Sequence, residues 1–413
     1  MATATEEKPF LHIPETVSKE AQEFLSSLKD PALAPAFPDP GDLAGWKKLQ
    51  ASVEKGALAQ SEEMVRRYAP TVAERSLGGV QVLDVRPKGW KENRKVAVYV
   101  HGGAHTLYSA KSTLGRAAIF ADDTGHRVIS VDYTLAPEAK FNQMSDQVIA
   151  VIEVLLTEGH ALNDILIYGD SSGGGLAAAA VLKMRGRRLG MPMAAVLVSP
   201  WVDVTRTGDT EFTLAHAEPN YLYEKHSIKA AGAYADPKDQ KHPYASPVYG
   251  DFSKGFPPTL IQGGTKEILL SGFIRLYQAL DTAGVAVKLD IYEGMPHNFA
   301  SRIPDAPGSK VARKKIQDFV RTHLGEQRRA AIKAAVWSAT ASSLFRIDVA
   351  RFESAKRRRE NVETSWSNKS LSDGPISKPV GIDSGQTKGM GSQRCGAAVA
   401  RGHKPMDQRR STA

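Results

Sequence analysis

From residue 80 to residue 324 the chain alternates apolar runs with amphipathic stretches. Residues 80–85 alternate apolar and polar, as a half-buried strand does. Residues 96–100, Val-Ala-Val-Tyr-Val, are apolar throughout, the pattern of a strand buried on both faces. Further strand-like runs lie at 127–131, 164–168, 194–198, 259–262 and 287–292. Helical periodicity fills most gaps, at 112–123, 146–157, 172–188 and 268–283, the last stopped by Gly284. A closing helix is predicted at 310–324, with Ile316, Phe319, Val320 and Leu324 on one face. Strands alternating with helices predict an α/β fold, a mostly parallel sheet with helices on both faces.

Two intervals depart from this rhythm. Before any strand, residues 17–28 read as a short helix and a Pro-rich run follows at 31–40. Residues 42–68 read as a longer helix, with Asp42 as N-cap, Trp46, Leu49, Val53 and Leu58 as packing positions, and Pro70 beyond its end. The second interval, residues 202–257, holds no strand pattern but carries Phe212, Tyr221, Tyr223 and Tyr234. An insertion that long between two strands predicts a lid or binding region. Together with the N-terminal helices it is expected to roof a site.

Composition narrows the class. The 413 residues allow two or three domains at roughly 150 residues each. A hydrophobic fraction of 42% and a charged fraction of 24% are those of a soluble globular protein. No apolar run approaches the roughly 20 residues that span a bilayer. The N-terminus lacks a basic and then apolar leader, so no secretory signal is expected and the expected location is cytoplasmic. The one cysteine, Cys395, excludes an internal disulfide and a multi-cysteine metal site.

The net charge of +9 belongs to one end of the chain. Residues 326–413 hold 17 of the 54 Lys and Arg and 8 of the 45 Asp and Glu, leaving 37 of each sign in residues 1–325. The basic character therefore says nothing about the partner of the main body, and no nucleic acid is expected there. Residues 361–413 are Ser, Gly, Lys and Pro without periodicity, a disordered composition. Residues 326–413 are read as a solvated extension. The alternative is a basic amphipathic helix at 328–360, whose Lys356-Arg-Arg-Arg359 would touch nucleic acid or an anionic membrane.

The chemistry centres on residues 165–176, I-L-I-Y-G-D-S-S-G-G-G-L. A strand meets a sharp turn, Gly169-Asp170-Ser171-Ser172-Gly173, and an alanine-rich helix follows. The turn fits G-x-S-x-G, which lifts a serine Oγ clear of a sheet edge. A nucleophilic serine needs a base, an orienting acid and donors for an oxyanion. His297 lies on the loop past the last strand, while its rival His105 precedes the serine, the wrong order for this fold. Glu267 ends the loop after residues 259–262 and opens a helix, where it would also be stabilised by the helix dipole. Asp290 is the weaker acid because it sits mid-strand. His101-Gly102-Gly103-Ala104 follows the strand at 96–100, and the N–H groups of Gly102, Gly103 and Ser172 are the expected oxyanion donors.

Several pieces together resemble the hormone-sensitive-lipase family of α/β-hydrolase esterases. They are His101-Gly-Gly-Ala104, Val131-Asp-Tyr-Thr-Leu-Ala-Pro-Glu138, Gly169-Asp-Ser-Ser-Gly-Gly174, Ser199-Pro-Trp201, the Glu267-Ile-Leu-Leu segment and Gly294-Met-Pro-His-Asn-Phe299. They stand in the family's order over roughly residues 70–324. The resemblance implies an α/β-hydrolase domain at 71–325 with a cap built from residues 1–70 and the insertion at 202–257. It implies Ser171 as nucleophile, Glu267 as acid and His297 as base, a small-molecule ester substrate, and no metal or organic cofactor. Short- to medium-chain acyl esters are the expected substrates. A lactone, steryl-ester or amide hydrolase, and a non-catalytic binding protein of the same fold, are the alternatives. Oligomeric state is left open, a homo-oligomer included. Ala104, Thr134 and Asn298 depart from the family's usual glycine, arginine and glycine, and Glu138 reads as structural.

Overall fold

The computed structural model describes residues 11–324. Its eight strands are β1 (Thr71–Leu77), β2 (Val80–Arg86), β3 (Val96–Val100), β4 (Arg127–Asp132), β5 (Ile165–Asp170), β6 (Ala194–Val198), β7 (Thr259–Gly264) and β8 (Val287–Tyr292). They form one sheet in the order β1-β2-β4-β3-β5-β6-β7-β8. β2 runs antiparallel to both neighbours, and every pair from β4 to β8 is parallel.

The helices are α1 (Lys19–Ser27), α2 (Leu43–Tyr68), α3 (Leu114–Thr124), α4 (Phe141–Thr157), α5 (Ser172–Gly186), α6 (Thr210–Thr213), α7 (Ile228–Tyr234), α8 (Leu270–Thr282), α9 (Phe299–Arg302) and α10 (Pro307–Leu324). β3 and β5 are buried at every position because both sheet faces are covered. Val96, Val98, Val100, Ile165 and Ile167 pack under α4, α5 and α8. The alternate residues Ala97, Tyr99, Leu166 and Tyr168 pack with Ala117 and Phe120 of α3 and Ile316, Val320 and Leu324 of α10. Period-two alternation thus divides one apolar run between two cores.

One strand escaped the hydrophobic pattern. β1 is a sheet edge with mostly exposed or half-buried residues, so its sequence T-V-A-E-R-S-L shows no clear alternation. It is joined to β2 by Gly78-Gly79, both at positive φ, and Leu77 pairs with Val80 across that two-residue turn.

α2 starts where its cap predicts: Asp42 Oδ1 accepts the Gly45 N–H at 2.9 Å. Trp46 is fully buried and donates its indole N–H to Asp39 O at 2.9 Å, and Leu49 packs half-buried against the core. The chain ahead of α2 is tied to the 202–257 insertion. Phe37 N–H donates to Lys225 O at 2.8 Å, Lys225 Nζ donates to Ala32 O at 2.6 Å, and the Phe37 ring meets His226 edge-on. Among the described residues no helix is long and apolar enough to cross a membrane. The readings made for residues 326–413 lie outside the described residues.

Parallel strands send their carboxyl ends to one edge of the sheet. Val100 pairs with Gly169, Asp170 with Val198, and Gly264 with Tyr292. The loops after β3, β5, β6, β7 and β8 therefore leave the sheet side by side, where ligand sites of open α/β sheets lie.

Candidate active site

Ser171 follows β5 at φ 54°, ψ −128°, a strained conformation for a residue with a Cβ. Its N–H donates to Val198 O and its carbonyl accepts from the Trp201 N–H, both at 2.8 Å. The flanking glycines are there for space. A Cβ on Gly169 would stand 2.4 Å from Gly173 O, and one on Gly173 only 2.1 Å from Val100 O.

His297 comes from the β8–α9 loop and Glu267 from the β7–α8 loop. Ser171 Oγ is 2.9 Å from His297 Nε2, and His297 Nδ1 is 2.6 Å from Glu267 Oε2. The carboxylate accepts, so Nδ1 carries the proton and Nε2 is left to accept from the serine hydroxyl. Glu267 is fully buried, and its Oε1 accepts from Gly264 N–H at 2.7 Å and from Ser199 Oγ–H at 2.8 Å. Ser199 Oγ accepts in turn from the Asn298 N–H at 3.1 Å.

The two rivals lie elsewhere. Asp290 accepts from Gln262 Nε2 and Tyr292 OH, both at 2.8 Å, and pairs with Lys315. His105 is buried with its ring stacked on Tyr234, centroids 3.6 Å apart, and neither ring nitrogen has a partner among the described residues. Burial, with His101 adding a smaller push, drives its pKa down to about 3. Glu138 forms an exposed ion pair with Lys47.

The loop after β3 brings one correction. The N–H of Gly102 donates to Asp170 Oδ1 at 3.2 Å, so this expected oxyanion donor is already engaged. The N–H groups of Gly103 and Ala104 meet no acceptor among the described residues. The Ser172 N–H opens α5, where the first N–H groups have no intrahelical partner. Ser172 Oγ accepts from the His105 N–H at 3.0 Å and so ties the two loops together.

Asp170 was not singled out in the sequence, although it sits inside the elbow. It is buried and accepts from Tyr99 OH at 2.6 Å, Arg116 Nη1 at 2.6 Å and Asn298 Nδ2 at 2.9 Å. Asn298 takes the left-handed conformation, φ 56°, which asparagine tolerates better than most residues. Its amide adds a tie that the glycine usual at this place in the family lacks. Thr134 exchanges two 2.9 Å hydrogen bonds with Gln147. From the insertion, Tyr221 meets His297 edge-on, its hydroxyl 3.5 Å from Nδ1. Arg116, the partner of Asp170, also lines a cavity of about 290 Å³ with Phe24, Met64, Tyr108, Ile119 and Arg302, a cavity that Ser171, His297 and Glu267 do not line. Among the described residues no cluster of three or more His, Cys, Asp or Glu is arranged to hold a metal.

A family described as having the alpha/beta hydrolase fold matches residues 97–301. An acetyl-hydrolase of Streptomyces hygroscopicus is 32% identical over 242 residues, which is 59% of this chain and 80% of that protein. An esterase of Acinetobacter venetianus is 32% identical over 253 residues, 60% of this chain and 82% of that one. Among solved structures, the esterase E25 superposes with a TM-score of 0.71 at 27% identity, covering 77% of this chain and 98% of its own. An esterase from the bacterial hormone-sensitive lipase family gives 0.63 at 28% identity, covering 75% and 99%. The chain belongs to the α/β-hydrolase fold family. Within it, the chain is a serine ester hydrolase of the hormone-sensitive-lipase type.

Proposed function

We propose that the chain is a carboxylesterase that cleaves short- to medium-chain acyl esters through an acyl-enzyme. The observation that carries this reading is the unbroken line Ser171–His297–Glu267, with contacts of 2.9 and 2.6 Å. His297 Nε2 takes the serine proton as Oγ attacks the ester carbonyl. Glu267 holds the imidazole in the required tautomer and stabilises its positive charge. The oxyanion is received by N–H groups of Gly103, Ala104 and Ser172, each worth roughly 3–4 kcal/mol in comparable sites. His297 then protonates the leaving alcohol, and a water molecule repeats the sequence on the acyl-enzyme.

The catalytic domain in this reading is residues 71–325. Residues 1–70 and the insertion at 202–257 form the cap. Two observations support a small acyl group. The roof is tied down by hydrogen bonds between the two cap segments. The Streptomyces relative is itself an acetyl-hydrolase. An enclosed apolar pocket gains about 0.8 kcal/mol per methylene until it is full. Longer chains then overpack its walls or stay in water.

The test is kcat/KM over a graded series of acyl esters. It should peak at roughly two to eight carbons and fall beyond. A rate still climbing at about sixteen carbons would replace the carboxylesterase reading with that of a lipase.

A further inference from the structure

Helix α2 reaches the loop after β3 with three polar side chains. Gln50 Nε2 donates to Thr106 O at 2.9 Å and to Ala136 O at 3.4 Å. Glu54 Oε1 accepts from Ser109 Oγ–H. Ser61 Oγ donates to Lys111 O at 3.1 Å and accepts the Gly115 N–H at 2.8 Å, at the foot of α3. Gln50 and Glu54 stand one turn apart, on the same face as the buried Trp46.

The loop they hold is strained. Ala104, His105 and Tyr108 stand at φ 54°, 62° and 71°, a region costly for residues with a Cβ. Thr106 and Ala136 are fully buried, and no backbone N–H among the described residues donates to either carbonyl. A buried carbonyl left bare costs free energy, so the Gln50 amide supplies what the bent backbone does not. The grip leads on to Gly103. The Thr106 and Leu107 N–H groups donate to Gly103 O at 3.0 and 2.8 Å. That carbonyl shares one planar peptide with the Ala104 N–H, so fixing the oxygen fixes the direction of the N–H.

We propose that Gln50 is a positioning residue for the oxyanion site: reaching down from α2, its amide keeps the loop after β3 bent so that the Gly103–Ala104 peptide turns its N–H to the substrate oxygen. The proposal rests on the reading of Gly103, Ala104 and Ser172 as oxyanion donors given above. α2 then does more than cover the acyl group. It sets the direction of a donor that matters most when charge develops on the oxygen, so its effect falls on the transition state and not on ground-state binding.

Gln50→Met keeps the length of the side chain and removes both donors. kcat should fall about ten- to thirtyfold with KM within about twofold. The loss is partial because the His105 N–H keeps its tie to Ser172 Oγ. Two inhibitors give a second readout. A trifluoromethyl ketone accepts Ser171 Oγ at its carbonyl carbon, the serine proton passing to His297, and its oxygen becomes an oxyanion. The matching methyl ketone stays trigonal. In Gln50→Met the first should weaken by about the same factor as kcat and the second by no more than about twofold. Ser61→Ala removes a tie of the same helix at the foot of α3 and is the structural control. Its urea midpoint should fall while kcat and the ratio of the two inhibition constants stay near wild type. A ratio that falls as far there as in Gln50→Met shows general loosening of α2 and overturns the proposal, as does an unmoved ratio and kcat in Gln50→Met. Should Gln50→Met fail to fold, Gln50→Asn carries the test. Its amide stands a methylene short of Thr106 O, so the ratio should fall in the same direction, and a wild-type ratio overturns the proposal. The wild type separates the two layers of argument. A trifluoromethyl ketone no more potent there than the methyl ketone removes the oxyanion reading and this proposal with it. A strong wild-type preference left unmoved in Gln50→Met removes this proposal alone.

Discussion

Asn298 Nδ2 donates to Asp170 Oδ2 at 2.9 Å, joining the residue after the proposed base, His297, to the residue before the proposed nucleophile, Ser171. The same carboxylate engages Gly102 on the third loop and Arg116 on α3. One buried acid thus ties together the loops after β3, β5 and β8.

Asp170→Asn tests that tie. The charge facing Arg116 is lost, and an amide can accept at only one of the two oxygen positions. Stability should fall by about 2–3 kcal/mol, less than for a wholly buried pair because the Arg116 side chain is 25% exposed. Activity should fall through kcat more than through KM, because the loops shift relative to one another. A urea midpoint equal to that of the wild type would show that Asp170 is not the hub.

Ser171→Ala and Ser172→Ala separate nucleophile from neighbour. The first removes the attacking oxygen and should lower kcat by about 10⁴–10⁶ with the fold intact. The second keeps the backbone N–H and loses only the Oγ tie to His105 N–H, so its cost should be far smaller. Single-turnover rates on a soluble ester decide it, and equal losses contradict the assignment.

Glu267→Gln and Asp290→Asn separate the two acids. Glu267→Gln keeps the shape but cannot stabilise an imidazolium, and a loss of about 10²–10⁴ in kcat is expected. Asp290→Asn should change stability and leave kcat near wild type, since its partners are Gln262, Tyr292 and Lys315. The reverse ranking in steady-state kinetics would move the acid to β8.

His105 predicts a pH-dependent stability. Its folded pKa, about 3, lies below the roughly 6.5 of an unfolded histidine. The unfolded chain therefore binds this proton first as pH falls, and stability drops from about pH 6.5 toward pH 3. His105→Phe keeps the stack on Tyr234 and removes the proton site. Between pH 7 and pH 5 the wild type should lose about 2 kcal/mol that this variant keeps, read from urea midpoints of both proteins at the two pH values. An identical pH slope in both proteins would contradict the burial argument.

Much of this architecture is legible in the residues alone. Apolar runs such as 96–100 and 165–168 announce strands covered on both faces, because burial on each side removes the need for alternation. Gly169 and Gly173 announce the tight turn, because the backbone leaves no room for a Cβ. Ser171, Glu267 and His297 each stand just past a strand whose carboxyl end a parallel sheet must bring to the same edge. Those signals are local, set by residues a few positions apart. β1 gave no such signal, since an exposed sheet edge has little apolar pattern to display.

What an isolated stretch of chain could not decide is who meets whom across the sheet. The N–H of Gly102 reads as a free donor until Asp170, 68 residues away, is seen to accept it. Ser199 gives no sign in its own segment that it supports Glu267, also 68 residues distant. Glu218 looks like an ordinary loop carboxylate until the fold buries it and gives it Asn220 as partner. Periodicity records which side of an element is dry. Hydrogen-bond partners and local charge depend on distances between loops, and only the packed sheet with its roof sets those distances.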